Sequence, residues 1–246
     1  MNLVLDLGNT LHKYAVYHQD ELVFQKSETQ LLPEHLETLI DTFNITDAIL
    51  SSVDHFDEKL ELWLDENFNL LKFTSATPLP ITNAYVTPAT LGKDRLAAAV
   101  GANAAFPGKN VLSIDAGTCI KYDFVDTNGV YHGGAIAPGL MMRLKAMHNF
   151  TARLPLIEPT AISTMPKPLL TGDSTTNSML SGALNGALLE VEGVIDAYRN
   201  TYGEIFPLLS GGDAGFFELH LKSRIFARPN LVLEGLNSIL KYNINN

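Results

Sequence analysis

Two segments of the chain place an aspartate, a glycine and a threonine directly after an apolar run. The first extends from Asp6 to Thr10 and the second from Asp115 to Thr118. An aspartate at a strand end can hold Mg²⁺, while the glycine lets the backbone approach a phosphate and turn amides donate to its oxygens. A single segment of this kind is also typical of a plain hairpin turn. Two copies, each at the head of three similar strands, favour a nucleoside triphosphate held by both halves of the chain.

A third carboxylate, Asp94, stands at the predicted start of a helix of small residues, Leu96 to Ala105, and beside Arg95. The simplest interpretation is that Asp94 caps this helix, which is a common use of aspartate. A carboxylate near the junction of two halves could also accept a proton from a substrate hydroxyl. The two roles are compatible, because a helix N-terminus keeps a carboxylate ionised.

Three further segments lie at predicted junctions before helices. Gly133 to Gly139 predicts a strand end with a proline–glycine start to the next helix, and Ser210 to Ala214 predicts a turn in which Asp213 can cap a helix. In a nucleotide enzyme the second turn would lie near the adenosine. Thr175 and Thr176 are predicted to cap a long helix, Asn177 to Tyr202.

The elements that position these residues recur in both halves of the chain. Apolar periodicity predicts three strands and then a helix, a strand, a helix and a strand in the first half. In the second half it predicts three strands, a long helix, a strand and a closing helix. We therefore predict two duplicated α/β lobes that face one another, 1–109 and 110–246, with the Leu96–Ala105 helix bridging them. The predicted strands are Leu3–Leu7, Lys13–Tyr17, Glu21–Lys26, Ala48–Val53, Leu70–Phe73, Asn110–Ile114, Ile120–Val125, Val130–Ile136 and Phe206–Leu209, and the last helix is Leu233–Tyr242.

Composition and charge exclude several classes of protein. The 246 residues are 46% hydrophobic and 18% charged, which is ordinary globular usage. A net charge of −10 disfavours nucleic acid and anionic membranes as partners. The single cysteine excludes an intrachain disulfide and fits a reducing compartment, and the scattered histidines disfavour structural zinc. Without a signal peptide or a bilayer-spanning run, the protein is expected to be cytoplasmic.

The ordered set of motifs resembles type III pantothenate kinase over nearly the whole chain. The motifs are Asp6 to Lys13, Tyr85 with Pro88, Leu91 to Arg95, Asp115 to Thr118, Gly133 to Gly139, Leu154-Pro155, Thr175 before Ser181-Gly182, and Gly211 to Ala214. The resemblance implies the α/β, duplicated ribonuclease-H-like fold of actin-like ATPases, with two lobes around a nucleotide cleft. It also implies a homodimer that phosphorylates pantothenate to 4'-phosphopantothenate with ATP, the first step of coenzyme A biosynthesis.

The same resemblance implies roles for particular residues. Asp94 would be the base that acts on the primary hydroxyl of pantothenate, and Asp6 would lie near the Mg²⁺ that accompanies ATP. Asp115 would hold a monovalent cation, K⁺ or NH₄⁺. ATP would contact Asp6, Leu7, Gly8, Asn9, Thr10, Leu11, His12, Lys13 and Thr118, and pantothenate would contact Tyr85, Gly92, Lys93, Asp94, Arg95 and Thr175, the last across a dimer interface.

Three positions depart from the family pattern: Thr87 replaces a common asparagine, Cys119 an alanine, and Lys121 a small polar residue. Lys121 would change the charge near the phosphates if its side chain pointed inward. Two other functions stay open, a sugar kinase of the same superfamily and a non-catalytic ATP-binding regulator of the accessory transcription factor type. The Gly92 to Arg95 motif favours the pantothenate family, and the three intact aspartates argue against a catalytically dead relative.

Overall fold

A computed structural model describes residues 1–8, 11–52 and 58–245 of the chain. The chain divides into two compact units, each with a hydrophobic core of its own. Unit 1 comprises Met1–Pro107, Gly129–Tyr131 and Asn230–Asn246, and unit 2 comprises Gly108–Asn128 and His132–Pro229. The predicted border after residue 109 lies two residues beyond the first crossing, but the return of the last segment to unit 1 was not predicted.

The sheet of unit 1 has the strand order β3-β2-β1-β4-β5. Its strands are β1 (Asn2–Leu7), β2 (His12–His18), β3 (Glu21–Glu28), β4 (Asp47–Ser52) and β5 (Asn69–Lys72). The first three are antiparallel neighbours, whereas β1, β4 and β5 run parallel. Parallel neighbours need crossover connections, which here contain the helices α1 (Glu34–Thr42) and α2 (Glu58–Asn67).

The sheet of unit 2 repeats this order as β9-β8-β7-β10-β11. Its strands are β7 (Val111–Ala116), β8 (Cys119–Val125), β9 (Val130–Pro138), β10 (Phe206–Ser210) and β11 (Phe226–Ala227). Again the central strand is antiparallel to its hairpin partner, β8, and parallel to β10. The repeated order and directions confirm the predicted duplication. The first residues of β9, Val130 and Tyr131, belong to unit 1 and pair with β6 (Thr82–Asn83).

Two helices of unit 1 explain why the end of the chain returns to it. The helices are α3 (Lys93–Ala105) and α8 (Leu231–Ile244). A Cβ atom on Gly101 would collide with the Leu231 carbonyl, and one on Gly235 with the Ala97 carbonyl, so the two backbones touch. The small residues of α3 therefore allow close packing against α8. The sequence predicted the helix of small residues but not the helix that packs against it.

The long helix predicted from Asn177 begins earlier and is interrupted. It consists of α5 (Thr175–Leu180), a π-helical segment (Ser181–Asn185) and α6 (Gly186–Tyr202). The interruption accompanies buried polar contacts, because Ser181 Oγ donates to the Leu170 carbonyl at 2.7 Å and Asn185 Nδ2 donates to Ser181 Oγ at 3.0 Å. These contacts attach the loop before α5 to the helix.

The remaining α-helices of the described ranges are α4 (Leu140–Asn149) and α7 (Ala214–His220), which follow β9 and β10. Two short 3₁₀ helices comprise Pro88–Thr90 and Ile162–Thr164. No helix within those ranges combines the length and the apolar character that crossing a bilayer requires.

Candidate active site

Three strands of unit 1 bring a lysine, an aspartate and a serine into one row across the sheet. Asp6 on β1 lies opposite Lys13 on β2 and beside Ser51 on β4. Neighbours in a row point to the same face of a sheet. The row therefore collects a cation, a carboxylate and a hydroxyl near the carboxyl end of the central strand, where α/β folds place their ligands.

Unit 2 contains the same row, built from the same positions of the repeated sheet. Asp115 on β7 lies opposite Lys121 on β8 and beside Ser210 on β10. Lys121 Nζ lies 2.7 Å from Asp115 Oδ2 and forms an ion pair with it, and both side chains are about one-fifth exposed (20% and 22%). The lysine that departs from the family pattern thus points along the row to the aspartate.

Both rows contain a buried hydroxyl that has no hydrogen-bond partner in the described part of the chain, on Ser51 and on Ser210. The buried Nδ1 atom of His12, beside the first row, also has none there. Buried polar atoms normally have a partner. The carboxyl ends of the two central strands, β1 and β7, are therefore suited to a polar ligand. Sequence reasoning missed Ser51, whose only signal was its place at the end of a buried apolar strand.

Glycines close the backbone tightly around the hairpin of unit 2. The amide of Gly139 donates to the Thr118 carbonyl at 3.1 Å, and a Cβ atom on Gly139 would collide with the Gly117 and Thr118 backbone. Gly211 has a φ of +97°, and its Cβ atom would meet the Ala116 carbonyl and lie 2.6 Å from Asp115 Oδ1. A side chain at either glycine would therefore displace the hairpin, as the glycine-rich turns predicted.

A lysine joins the start of α3 to the sheet of unit 1. Lys93 Nζ donates to the Ser52 carbonyl at 3.0 Å. Ser52 is the last residue of β4 and lies beside Leu7 of β1 in the sheet register. The contact therefore brings the helix start that carries Asp94 to the carboxyl end of the strand next to β1.

Asp94 is not the cap of α3, contrary to the simplest interpretation of the sequence. The N-cap position is Gly92, without a side-chain hydrogen bond, and Asp94 is the second residue of the helix. A Cβ atom on Gly92 would lie 2.6 Å from Asp94 Oδ1, so the carboxylate folds back over the glycine. Because Gly92 lacks a side chain, the half-buried carboxylate stays at the helix N-terminus, where a negative charge is stabilised.

An aromatic pair and a buried arginine lie next to that helix start. The rings of Tyr85 and Tyr131 stack with centroids 6.2 Å apart, and the Arg95 guanidinium lies 5.6 Å from the Tyr85 centroid. Arg95 is only 6% exposed, and Tyr131 is fully buried. Such a guanidinium is held rigidly and can bind a carboxylate. Sequence reasoning did not find Tyr131, because only the tertiary structure brings it to Tyr85.

The predicted substrate contact Thr175 lies in unit 2 and is exposed as the first residue of α5. The predicted cap role of Thr175 and Thr176 is wrong, because Ser174 is the N-cap and its side chain accepts from the Asn177 amide. Asp213 does occupy the N-cap position of α7, without a side-chain cap bond. Burial raises the pKa of the Asp213 carboxyl.

The predicted site residues divide between the two units, and two of them lie outside the described residues. Unit 1 contains Asp6, Leu7, Gly8, Leu11, His12, Lys13, Tyr85, Gly92, Lys93, Asp94 and Arg95, and unit 2 contains Asp115, Thr118 and Thr175. The predicted ATP contacts Asn9 and Thr10 lie outside the described residues.

Comparison with known proteins adds a family to this geometry. A family model described as type III pantothenate kinase matches residues 2–197. A type III pantothenate kinase of Christiangramia forsetii is 46% identical over 99% of both chains. One of Bacteroides fragilis is 44% identical over 99% of this chain and 98% of its own.

Solved structures show the fold. A Campylobacter jejuni protein assigned to the Baf family of transcriptional activators superposes with a TM-score of 0.61 at 19% identity, over 99% of this chain and 100% of its own. The activator of 2-hydroxyisocaproyl-CoA dehydratase from Clostridium difficile, with bound ADPNP, gives a TM-score of 0.52 at 13% identity, over 99% and 94%. The likeness to such proteins confirms the predicted actin-like ATPase fold class.

Proposed function

The chain belongs to the type III pantothenate kinase family, and we propose that it transfers the terminal phosphoryl group of ATP to the primary hydroxyl of pantothenate, which begins coenzyme A biosynthesis. The observation that carries this function is the hydrogen bond from Lys93 to the Ser52 carbonyl. This hydrogen bond holds the start of α3, and with it Asp94, at the carboxyl end of β4. Strand β4 is the neighbour of β1, and β1 carries Asp6.

ATP enters this proposal with a divalent metal, as the kinase family implies. We assign the nucleotide contacts to Asp6 through Lys13 in unit 1 and to Thr118 in unit 2, with Asp6 as the Mg²⁺ ligand. A lone carboxylate fits, because Mg²⁺ in such sites takes its other ligands from phosphates and water. The described residues contain no cluster of three or more His, Cys, Asp or Glu that could form a cage. When bound, Mg²⁺ neutralises charge on the phosphates.

Asp94 is the proposed base. The pantothenate hydroxyl oxygen forms a bond to the γ-phosphorus while the bond from that phosphorus to the β,γ-bridging oxygen breaks and ADP leaves. The hydroxyl proton passes to the Asp94 carboxylate. Because the transition state of phosphoryl transfer is loose, positioning and charge neutralisation supply most of the rate. Asp94 is the second residue of α3, so the proposed base is held at the N-terminal end of a helix.

The proposed pantothenate pocket surrounds that carboxylate with Tyr85, Gly92, Lys93 and Arg95. Pantothenate carries a carboxylate, which the buried Arg95 guanidinium suits in charge and in planar geometry. Stacking of Tyr85 on Tyr131 fixes the ring beneath the guanidinium. Lys93 anchors the segment through Ser52.

Thr175 belongs to unit 2 and is proposed to contact pantothenate across a homodimer interface, from a second copy of the chain. Several large apolar side chains of unit 2 are exposed to solvent. They include Ile136, Phe150, Leu156, Leu169, Leu170 and Leu189. Light scattering that gave the 26.9 kDa mass of one chain would contradict the dimer. We propose that the enzyme works in the cytoplasm.

The monovalent cation implied at Asp115 does not fit the residues of this chain. One oxygen of that carboxylate already accepts the Lys121 ammonium at 2.7 Å. A second cation would meet a carboxylate that is already neutralised, and no step above depends on one.

Measurement of ADP release with pantothenate, with a hexose and with no acceptor tests the function. We expect release that depends on pantothenate, and in Asp94→Asn a turnover lower by about 10²–10⁴-fold, as for other positioned bases. Asp41→Asn, an exposed change in α1, is the matched control and should keep wild-type turnover. Thermal melting of both variants should show that the fold is retained.

The other outcomes identify the alternatives. ADP release with the hexose alone would indicate a sugar kinase, and release that no acceptor stimulates would indicate a regulator. Wild-type turnover in Asp94→Asn would end the assignment of the base.

A further inference from the structure

The ion pair of unit 2 is built into the sheet. Lys121 and Asp115 are directly opposite residues of the antiparallel hairpin β7–β8. Their charged atoms lie 2.7 Å apart, and about four-fifths of each side chain is buried. Backbone pairing therefore fixes the ammonium on the carboxylate, and the reduced exposure limits screening by salt.

The position of the pair matters more than its strength. Asp115 is the aspartate of the hairpin row, next to Ser210, whose buried hydroxyl has no partner among the described residues. Gly211 and Gly139 pack against the same hairpin and leave no room for side chains. A surface ion pair would contribute little, but this one lies where the chain is shaped to admit a polar ligand.

A lysine head group is chemically a tethered ammonium ion, with a compact positive charge and three N–H donors. It supplies to Asp115 the charge that K⁺ or NH₄⁺ would supply. A free cation at the same carboxylate would be repelled by that ammonium. We infer that Lys121 is the resident cation of this site, so that phosphoryl transfer by this protein needs neither K⁺ nor NH₄⁺.

This inference rests on the proposed kinase function, and it makes Lys121 a positioning residue that acts through Asp115. The alternative is that the pair only stabilises the hairpin. The two differ in one respect: a tethered cation can be replaced by a free one, whereas a structural pair is not restored specifically by K⁺ or NH₄⁺.

The test compares wild type, Lys121→Ala and Lys121→Arg in choline, Na⁺, K⁺ and NH₄⁺ chlorides at equal ionic strength. Lys145→Ala is the matched control, since Lys145 also forms an ion pair in unit 2, with Glu158 at 3.3 Å. Two quantities are measured for each protein, pantothenate-dependent ADP release and the melting temperature.

We expect wild type and Lys145→Ala to work at rates that agree within about two-fold in all four salts, because no free cation is recruited. Lys121→Ala should lose about ten-fold or more in choline and Na⁺, as when a fixed charge is removed from an active site, and should recover in K⁺ or NH₄⁺. Its melting temperature should rise only with these two ions, because only they bind the folded state. Lys121→Arg, which keeps the charge, should remain independent of the salt.

Activation or a raised melting temperature of the wild type in K⁺ or NH₄⁺ would overturn the inference, and so would a Lys121→Ala rate that is the same in all salts. If Lys121→Ala does not fold, the rates of wild type and Lys121→Arg in the four salts test the inference, and a rate that depends on K⁺ or NH₄⁺ in either protein would overturn it. If no salt supports pantothenate-dependent ADP release, the proposed function fails, while the melting temperatures still test the resident cation.

Discussion

The two hairpin rows occupy the same positions of the same strand order, and they differ in what surrounds them. In unit 1, Lys13, Asp6 and Ser51 form the row, and a helix start that carries Asp94 is tied to the adjacent strand end through Lys93. In unit 2, Lys121 is already paired with Asp115, and glycines of two other segments press against the hairpin.

The difference teaches how a duplicated fold acquires two tasks. The repeated sheet brings an aspartate to the same place twice, because the register of the strands is the same. Local sequence then decides the chemistry. A small-residue helix adds an acid and an arginine in unit 1, whereas in unit 2 a cross-strand lysine neutralises the aspartate.

Replacing Asp6 and Asp115 in turn should show most clearly that the two rows have different roles. We expect Asp6→Asn to lower kcat/KM for ATP by about 10²–10³-fold, the range for loss of one active-site charge. Asp115→Asn should lower it less, because the Lys121 ammonium remains as a positive group near the hairpin. Steady-state kinetics with varied ATP measure both, and Asp41→Asn again serves as control. Equal losses would show that the two rows do the same work.

Alanine in place of a glycine near the row should lower the free energy of unfolding more in unit 2 than in unit 1. Gly211→Ala combines a φ of +97° with collisions against Ala116, so it should cost about 1–3 kcal/mol of unfolding free energy. Gly8→Ala in unit 1 should cost less, since the one described atom within 4 Å of its Cβ position is the Leu11 carbonyl oxygen, at 3.1 Å.

Gly212→Ala is the neighbouring control, because no atom of the described residues lies within 4 Å of its Cβ position. It should be neutral or slightly stabilising through the unfolded chain. Urea unfolding midpoints give all three values. A Gly212→Ala variant as unstable as Gly211→Ala would contradict the close approach.

The smallest expected effect concerns Asp213, the N-cap residue of α7, which follows Ser210 in the sequence. Because burial raises the pKa of its carboxyl, the folded protein favours the protonated form. That contribution is present at pH values below the carboxyl's ordinary range and is lost as the pH rises through the folded pKa. Asp213→Asn, which cannot ionise, should therefore melt higher than wild type at neutral pH, by at most about 3 °C.

The advantage of Asp213→Asn should shrink as the pH falls below the ordinary pKa range of a carboxyl, where both proteins carry a neutral group. Melting curves over that pH range measure it, with Asp41→Asn as the exposed control. A lower melting temperature of Asp213→Asn at neutral pH would show that the ionised carboxylate stabilises α7.

The sequence by itself determined the repeated strands, their hairpins and most of the helices, because short-range apolar periodicity and turn residues encode local structure. It also determined which residue types stand at the strand ends, and the family to which the chain belongs. Asp6, Asp94 and Asp115 could be named from motif order alone.

Only the tertiary structure decided which residues meet. Strand register put Lys121 on Asp115 and Ser51 beside Asp6, and no local pattern specifies a partner on another strand. The packing of α8 on α3 depends on two glycines more than one hundred residues apart, Gly101 and Gly235. From the sequence, Lys121 was expected to change the charge near the phosphates if its side chain pointed inward. In the fold it is the counterion of Asp115, because pairing of the backbones holds the two side chains on one face of the sheet.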